Sequence, residues 1–107
     1  MRTKAIGIAA LPLILSLAFA GVAGQSPEQL YKSGLYEEEV GGNPQKAIGI
    51  YQDILKRFPE SRETAAKAQL RLGFCYEKLG VKEAEKAFQQ VIDSYPEQSE
   101  AVQEARE

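Results

Sequence analysis

Apolar residues recur at helical spacing along most of the chain, and one such stretch occurs twice. Between Ala47 and Phe58 they fall three and four positions apart, which is the spacing of one face of an amphipathic helix. A shift of 37 residues pairs six positions of the same chemical type: Ala47 with Ala84, Tyr51 with Phe88, Ile54 with Val91, Leu55 with Ile92, Phe58 with Tyr95, and Pro59 with Pro96. The sequence therefore predicts two copies of one helical unit.

The ends of the two repeated helices are marked by residues with strong positional preferences. Asn43 is a good N-cap, and Pro44 suits the first helical position, where a missing N–H costs nothing. Pro59 and Pro96 end the helices, because proline disfavours helical geometry in the residue before it.

Another helix is predicted in front of each copy. The stretch from Ser26 to Gly42 begins with a capping serine, and its predicted contacts are Leu30, Tyr31, Gly34, Leu35 and Val40. The stretch 64–80 carries two apolar stripes, which indicates neighbours on two sides. Residues 99–107 begin a fifth, capping helix. The predicted fold class is all-α: tandem helix-turn-helix hairpins, about two repeats plus a partial cap.

These hairpins resemble the tetratricopeptide repeat, a family with two helices in each repeat of about 34 residues. The family signature has a Gly and a Tyr in the first helix, an Ala and an aromatic in the second, and a Pro after it. The second copy supplies Gly73, Tyr76, Ala84, Phe88 and Pro96, and the first supplies Ala47, Tyr51 and Pro59, with Gly34 and Tyr36 roughly in register. The resemblance covers residues 27–59 and 62–96 and implies a right-handed α-solenoid.

Within this family, the stretches AAKAQLRLGFCYEKLG and RFPES look most similar to members from the bacterial cell envelope. Those members include the periplasmic coordinator of the Tol-Pal system and the outer-membrane assembly lipoprotein. The likeness to the lipoprotein is incomplete, because no Cys follows the N-terminal apolar run to receive a lipid.

The N-terminal residues predict export. Arg2 and Lys4 precede an uncharged, mostly apolar run over residues 5–19, and Ala18-Phe19-Ala20 offers small residues at the positions that signal peptidase reads. We interpret residues 1–20 as a signal peptide cleaved after Ala20, followed by the two repeats within residues 21–98. Val22-Ala23-Gly24 is a weaker alternative cleavage site. The alternative is an uncleaved anchor, since residues 5–24 approach the roughly 20 residues that span a membrane.

Composition argues against several classes of function. The 107 residues have a net charge of −2, and nucleic-acid binding needs a clustered basic surface. The absence of His removes the commonest general base and metal ligand. Cys75 lies in an apolar helix and is interpreted as structural, and the run Glu37-Glu38-Glu39 as a solvated face. No catalytic residue, cofactor or metal site is predicted.

The family resemblance also places candidate partner contacts. In the family, the first helix of each repeat lines the concave face on which partner peptides lie. Counting from Gly73 and Gly34, the predicted groove contacts are Tyr31, Leu35, Lys67, Leu70, Phe74, Glu77 and Lys78, and Glu38 falls on the same count. Packing within the stack is the alternative for Leu70 and Phe74.

The sequence thus predicts an exported, non-catalytic protein–protein interaction module or scaffold. Its expected place is the periplasm of a Gram-negative bacterium, with secretion or signal anchoring as alternatives. Its expected partners are other proteins or peptides, and a homodimer through the C-terminal end is a further alternative. A structural spacer or the N-terminal fragment of a larger envelope protein, and an enzyme, are the rival hypotheses.

Overall fold

A computed structural model describes residues 24–80 and 82–107 as a stack of helices. Its elements are α1 (Pro27–Leu35), a π-helical segment (Tyr36–Val40), α2 (Pro44–Arg57), α3 (Arg62–Lys78), α4 (Glu83–Ser94) and α5 (Ser99–Arg106). The predicted all-α class is confirmed across these described ranges. None of the described helices is both long enough and apolar enough to cross a membrane. The predicted signal segment lies outside the described residues.

The predicted N-caps are present in the structure. Ser26 Oγ accepts a hydrogen bond from the Gln29 backbone N–H at 3.1 Å, and Gln29 Oε1 accepts one from the Ser26 N–H at 2.9 Å. This reciprocal pair satisfies two backbone N–H groups that would otherwise lack a hydrogen-bond partner at the start of α1. Asn43 Oδ1 accepts from the Lys46 N–H at 3.3 Å at the start of α2.

Two apolar clusters hold the stack together, and α3 contributes to both. Ala68, Leu72 and Cys75 of α3 pack into a cluster with α1, α2 and Ala87 of α4, whereas Ala65, Ala66 and Leu70 pack into a cluster with α4 and α5. The two apolar stripes predicted for this helix are therefore confirmed. Leu55 of α2 packs against both clusters, so α3 and Leu55 together link the first hairpin to the second.

Each hairpin contains a glycine that lies directly under an aromatic ring. A Cβ added at Gly34 would lie 2.5 Å from Cε1 of Tyr51, and a Cβ added at Gly73 would lie 2.3 Å from Cε1 of Phe88. These distances leave no space for a side chain. The two hairpins therefore repeat the same close helix approach, with the ring filling the space above the glycine.

The first hairpin has more residues than the second between the glycine and the aromatic residue that packs on it. Gly34 and Gly73 are 39 positions apart, whereas Tyr51 and Phe88 are 37 apart, so the first hairpin is two residues longer in between. The π-helical segment lies in this interval, and a π turn takes up one more residue than an α turn.

The π-helical segment changes which side chains face the core. The predicted contact at Val40 is wrong, because its side chain is 70% exposed. Glu38 is buried instead, with 5% of its surface exposed. The sequence pattern assumed a continuous α-helix up to Gly41-Gly42, and the change of register over Tyr36–Val40 accounts for the error.

An arginine clamp closes the second hairpin. The Arg62 guanidinium donates to both carboxylate oxygens of Glu97 at 2.9 Å and to the Ser94 carbonyl at 2.6 Å. It also lies 4.8 Å from the centre of the Tyr95 ring. The bidentate hydrogen bonds from Arg62 lower the pKa of Glu97 to about 2.

Candidate functional site on the concave face

The first helices of the successive hairpins, α1 and α3, line one concave surface together with α5. This concave face encloses a cavity of about 220 Å³, lined by Tyr31, Glu63, Lys67, Leu70, Arg71, Gln98, Glu100, Ala101 and Glu104. Each of the three helices supplies part of the lining. The cavity exists because the hairpins stack with their first helices side by side.

Three of the seven predicted contacts line this cavity together: Tyr31, Lys67 and Leu70. Tyr31 is half-buried, and its ring centre lies 5.9 Å from that of Tyr51 in α2. Lys67 is exposed, and its ammonium lies 3.4 Å from the Glu63 carboxylate one turn earlier. Leu70 reaches the cavity with only 5% of its surface exposed, so most of its side chain packs against α4 and α5.

The other four predicted contacts lie elsewhere. Phe74 and Glu77 line a neighbouring cleft at the C-terminal end of the stack, which we call the end cleft and which shares Glu104 with the concave cavity. Lys78 binds the buried carboxylate of Glu38 at 3.0 Å. Leu35 is half-buried near the end of α1 and does not line the concave cavity. Counting positions from Gly73 and Gly34 therefore grouped residues of α3 that lie on two different surfaces.

Sequence reasoning missed the residues that α5 adds to the concave face, and it missed Arg71. Gln98, Glu100 and Glu104 border the cavity because α5 takes the place of the first helix in a further hairpin. A shift of 37 residues from α3 would have found them, since it pairs Glu63 with Glu100 and Lys67 with Glu104. Arg71 was missed because the prediction followed apolar residues, and Arg71 is a polar residue between Leu70 and Leu72.

The charges of the concave cavity are mixed, with three carboxylates and two cations among the described residues. The carboxylates are those of Glu63, Glu100 and Glu104, and the cations are Lys67 and Arg71. Both cations have carboxylate partners within the fold, since Lys67 pairs with Glu63 and Arg71 with Glu38. The α5 side of the cavity therefore presents net negative charge to a ligand.

Behind the concave face lies a polar network centred on Glu38. The Glu38 carboxylate accepts hydrogen bonds from the Tyr51 hydroxyl at 3.0 Å, from Arg71 Nε at 2.9 Å and from Lys78 Nζ at 3.0 Å, and Arg71 Nη2 also donates to it. The side chain of Glu38 is fully buried. The network joins the π-helical segment to α2 and α3, and so fixes one hairpin against the next.

The interpretation of residues 37–39 as a solvated face is therefore wrong for Glu38. Only Glu39 has a largely exposed side chain, at 57%. Glu38 is also not a groove contact, because its side chain has no exposed surface. The π turn and the cations of α3 together turn this carboxylate inward, which the local sequence EEE does not reveal.

The ionisation states in this network follow from its contacts. Burial alone would raise the pKa of Glu38, but hydrogen bonds from Arg71, Lys78 and Tyr51 outweigh it, so the pKa lies below its ordinary value of 4.5. Burial and the neighbouring carboxylate both raise the pKa of Tyr51. Burial lowers the pKa of Arg71, but Glu38 raises it by more. Glu38 is therefore ionised at neutral pH.

The interpretation of Cys75 as structural is confirmed. Its thiol is fully buried in the first apolar cluster, and burial raises its pKa to about 12. A thiol in this environment is protonated at neutral pH and is a poor nucleophile. Among the described residues, no group of three or more Cys, Asp or Glu side chains could hold a metal ion.

Comparison with known proteins gives one positive result. The family model of the tetratricopeptide repeat matches residues 30–61 and 67–97, which is more than half of the chain. The two matches begin 37 positions apart, the same shift that aligns the two copies. No curated protein and no solved structure matched the chain.

Proposed function

Since this chain belongs to the tetratricopeptide repeat family, whose members typically act as non-catalytic scaffolds, we propose that it binds a segment of another protein on its concave face. The observation that carries this proposal is the cavity shared by α1, α3 and α5. Its exposed lining combines a tyrosine, a lysine and several carboxylates. An extended or helical peptide could place an apolar side chain beside Tyr31 and a basic one beside Glu100 and Glu104.

The residues suited to testing this site are the exposed ones. Leu70 is 5% exposed and lies within the second apolar cluster, so Leu70→Asp would place an unpaired charge in the core and unfold the protein. Lys67 and Glu100 are exposed residues of the concave cavity and can be changed without disturbing the core.

Site-specific photocrosslinking tests the concave face as the partner site. With a photoreactive amino acid at Lys67 or Glu100, we expect the same protein to be crosslinked in extracts of the source cell. The matched control is Lys56, an exposed residue of α2 that does not line the cavity. Equal crosslinking from Lys56 would contradict the proposal, as would different products from the two concave positions.

We further propose that the protein is exported and works in the bacterial cell envelope. The support is the pattern of Arg2 and Lys4, an apolar run, and Ala18-Phe19-Ala20. Small residues at the cleavage positions favour removal of this segment over its retention as an anchor.

Mass spectrometry of the protein made in a Gram-negative host tests export. We expect the N-terminus of the periplasmic protein to start at Gly21, because Ala20 precedes the predicted cleavage site. An Ala20→Lys variant, in which the peptidase can no longer accept the residue, should accumulate uncleaved. An intact N-terminus on native protein in the cytoplasmic fraction would contradict export.

A further inference from the structure

Two carboxylates that line the concave cavity, those of Glu100 and Glu104 in α5, have no ion-pair or hydrogen-bond partner among the described residues. The two cations of the cavity are already paired with other carboxylates, Lys67 with one in α3 itself and Arg71 with those of the π-helical segment. The unpaired charge of the cavity is therefore negative, and it belongs to α5.

At the equivalent positions, α3 carries a pair of opposite charges. The shift of 37 residues places Glu63 on Glu100 and Lys67 on Glu104. In α3, the ammonium of Lys67 lies 3.4 Å from the carboxylate of Glu63 one turn earlier. In α5 both positions are acidic, and like charges four residues apart destabilise a helix. A cation that binds between the two carboxylates of α5 would remove this repulsion.

Tyr31 of α1 lines the same cavity and lies close enough to Glu104 to be affected by its charge. Burial is the main cause that raises the pKa of the Tyr31 hydroxyl, and Glu104 is one of the carboxylates that raise it further. This hydroxyl makes no hydrogen bond within the described part of the chain. The cavity therefore offers a ligand one aromatic ring with a hydroxyl, together with two carboxylates.

The size of the cavity indicates that it holds a single side chain. Its volume is about 220 Å³, whereas sites for small-molecule ligands usually enclose about 300–1,000 Å³. The apolar lining offers little contact to a large apolar group, because Leu70 and Ala101 are only 5% and 7% exposed. A long side chain with an apolar stem and a cationic end fits both the volume and the charge.

The fold already binds one of its own arginines with the same two kinds of side chain, a glutamate and a tyrosine. Arg62 donates two hydrogen bonds to the carboxylate of Glu97 at 2.9 Å, and its guanidinium lies 4.8 Å from the centre of the Tyr95 ring. Arginine suits this combination better than lysine, because its planar guanidinium forms forked hydrogen bonds to carboxylates and stacks on aromatic rings.

We propose that the concave cavity recognises an arginine side chain of the partner segment. Its guanidinium lies between the carboxylates of Glu100 and Glu104, and its methylene stem packs on the ring of Tyr31. A single arginine thereby supplies both the apolar and the basic group that suit the concave face. This inference rests on the proposed function, because it names the residue by which the bound segment is recognised.

A small arginine derivative tests this recognition directly. We expect N-acetyl-argininamide, titrated into the full chain, to cause saturable NMR shifts of Tyr31 and of α5, with a dissociation constant in the millimolar range. N-acetyl-citrullinamide has the same shape but a neutral urea group, and it should bind at least about tenfold more weakly. N-acetyl-lysinamide should lie between the two, because its ammonium cannot form the forked hydrogen bonds.

Removal of charge from the cavity assigns the binding to the two carboxylates. In a double variant with Glu100→Gln and Glu104→Gln, which we call the cavity variant, N-acetyl-argininamide should bind at least about tenfold more weakly. The matched control carries Glu60→Gln and Glu85→Gln, which remove two exposed carboxylates outside the concave cavity and should leave binding unchanged. Circular dichroism verifies that both variants keep the helical fold.

Photocrosslinking from Lys67 separates this inference from the proposed function. The cavity variant should lower the yield of the crosslinked partner at least about fivefold, and mass spectrometry should find an arginine close to the crosslinked site of the partner. A partner that crosslinks equally to the native protein and to the cavity variant would contradict recognition of arginine, while the concave face would remain the partner site.

Three further results would overturn the proposal. The first is that N-acetyl-argininamide causes no saturable shifts, or binds no better than the citrulline derivative. The second is that the matched control weakens binding as much as the cavity variant does. The third is a dimer of the native protein in sedimentation that the cavity variant dissociates, because a second copy of the chain would then occupy the cavity.

Discussion

Gly34→Ala should destabilise the protein by about 1–2 kcal/mol, although alanine is the better helix former. The added Cβ would lie 2.5 Å from Cε1 of Tyr51, and that ring is fully buried, with its hydroxyl bound to Glu38. Overpacking a filled site costs about 1–3 kcal/mol, against a gain of about 1 kcal/mol in helix propensity. Urea unfolding followed by circular dichroism measures the change in the free energy of unfolding.

Gly49→Ala is the matched control for this prediction. Gly49 also lies inside a helix, α2, but a Cβ there meets no atom within 4 Å. We expect Gly49→Ala to stabilise the protein by about 1 kcal/mol. Gly73→Ala should fall between the two, because Phe88 borders the end cleft and can shift outward. If Gly34→Ala stabilised the protein as much as Gly49→Ala, the close approach of α1 to Tyr51 would be refuted.

Glu38→Gln should cost about 2–3 kcal/mol at neutral pH. The substitution keeps the shape of the side chain but removes the charge that Arg71 and Lys78 neutralise. Removing one partner of a buried ion pair costs about 3–5 kcal/mol, and the loss here is smaller because both cations reach water, with side chains 21% and 49% exposed. Urea unfolding of the native protein and the variant at pH 7 measures it.

The same substitution should change the dependence of stability on pH. The pKa of Glu38 is lower in the folded protein than its ordinary value of 4.5, so the unfolded chain takes up this proton first as the pH falls. The stabilisation by Glu38 is therefore complete above about pH 4.5 and is lost below it. The difference in unfolding free energy between the native protein and Glu38→Gln should stay constant down to that pH and then shrink.

Two comparisons isolate Glu38 from the other carboxylates. Glu97 also has a lowered pKa, but it is present in both proteins and cancels from the difference. Glu39→Gln changes the adjacent, exposed carboxylate and should alter stability by less than about 0.5 kcal/mol. An equal effect of Glu39→Gln and Glu38→Gln at neutral pH would show that the buried network does not stabilise the stack.

The helices and their pairing could be predicted from local features of the sequence. The apolar spacing from Ala47 to Phe58, repeated 37 residues later, required two similar helices, and Asn43 and Ser26 marked where helices begin. The two stripes of α3 predicted that this helix has neighbours on both sides. These features are local, because propensity, capping and periodicity act within a few residues of the chain.

Which polar and aromatic residues share a surface depends on how the helices pack, and this could not be predicted from the sequence. Glu37, Glu38 and Glu39 are alike in sequence, and the burial of Glu38 depends on a π turn and on two cations 33 and 40 residues away. Leu70 and Phe74 lie one turn apart on α3, yet one borders the concave cavity and the other the end cleft. Periodicity records the direction of a side chain around its own helix axis, whereas a surface is formed by the helices that pack beside it.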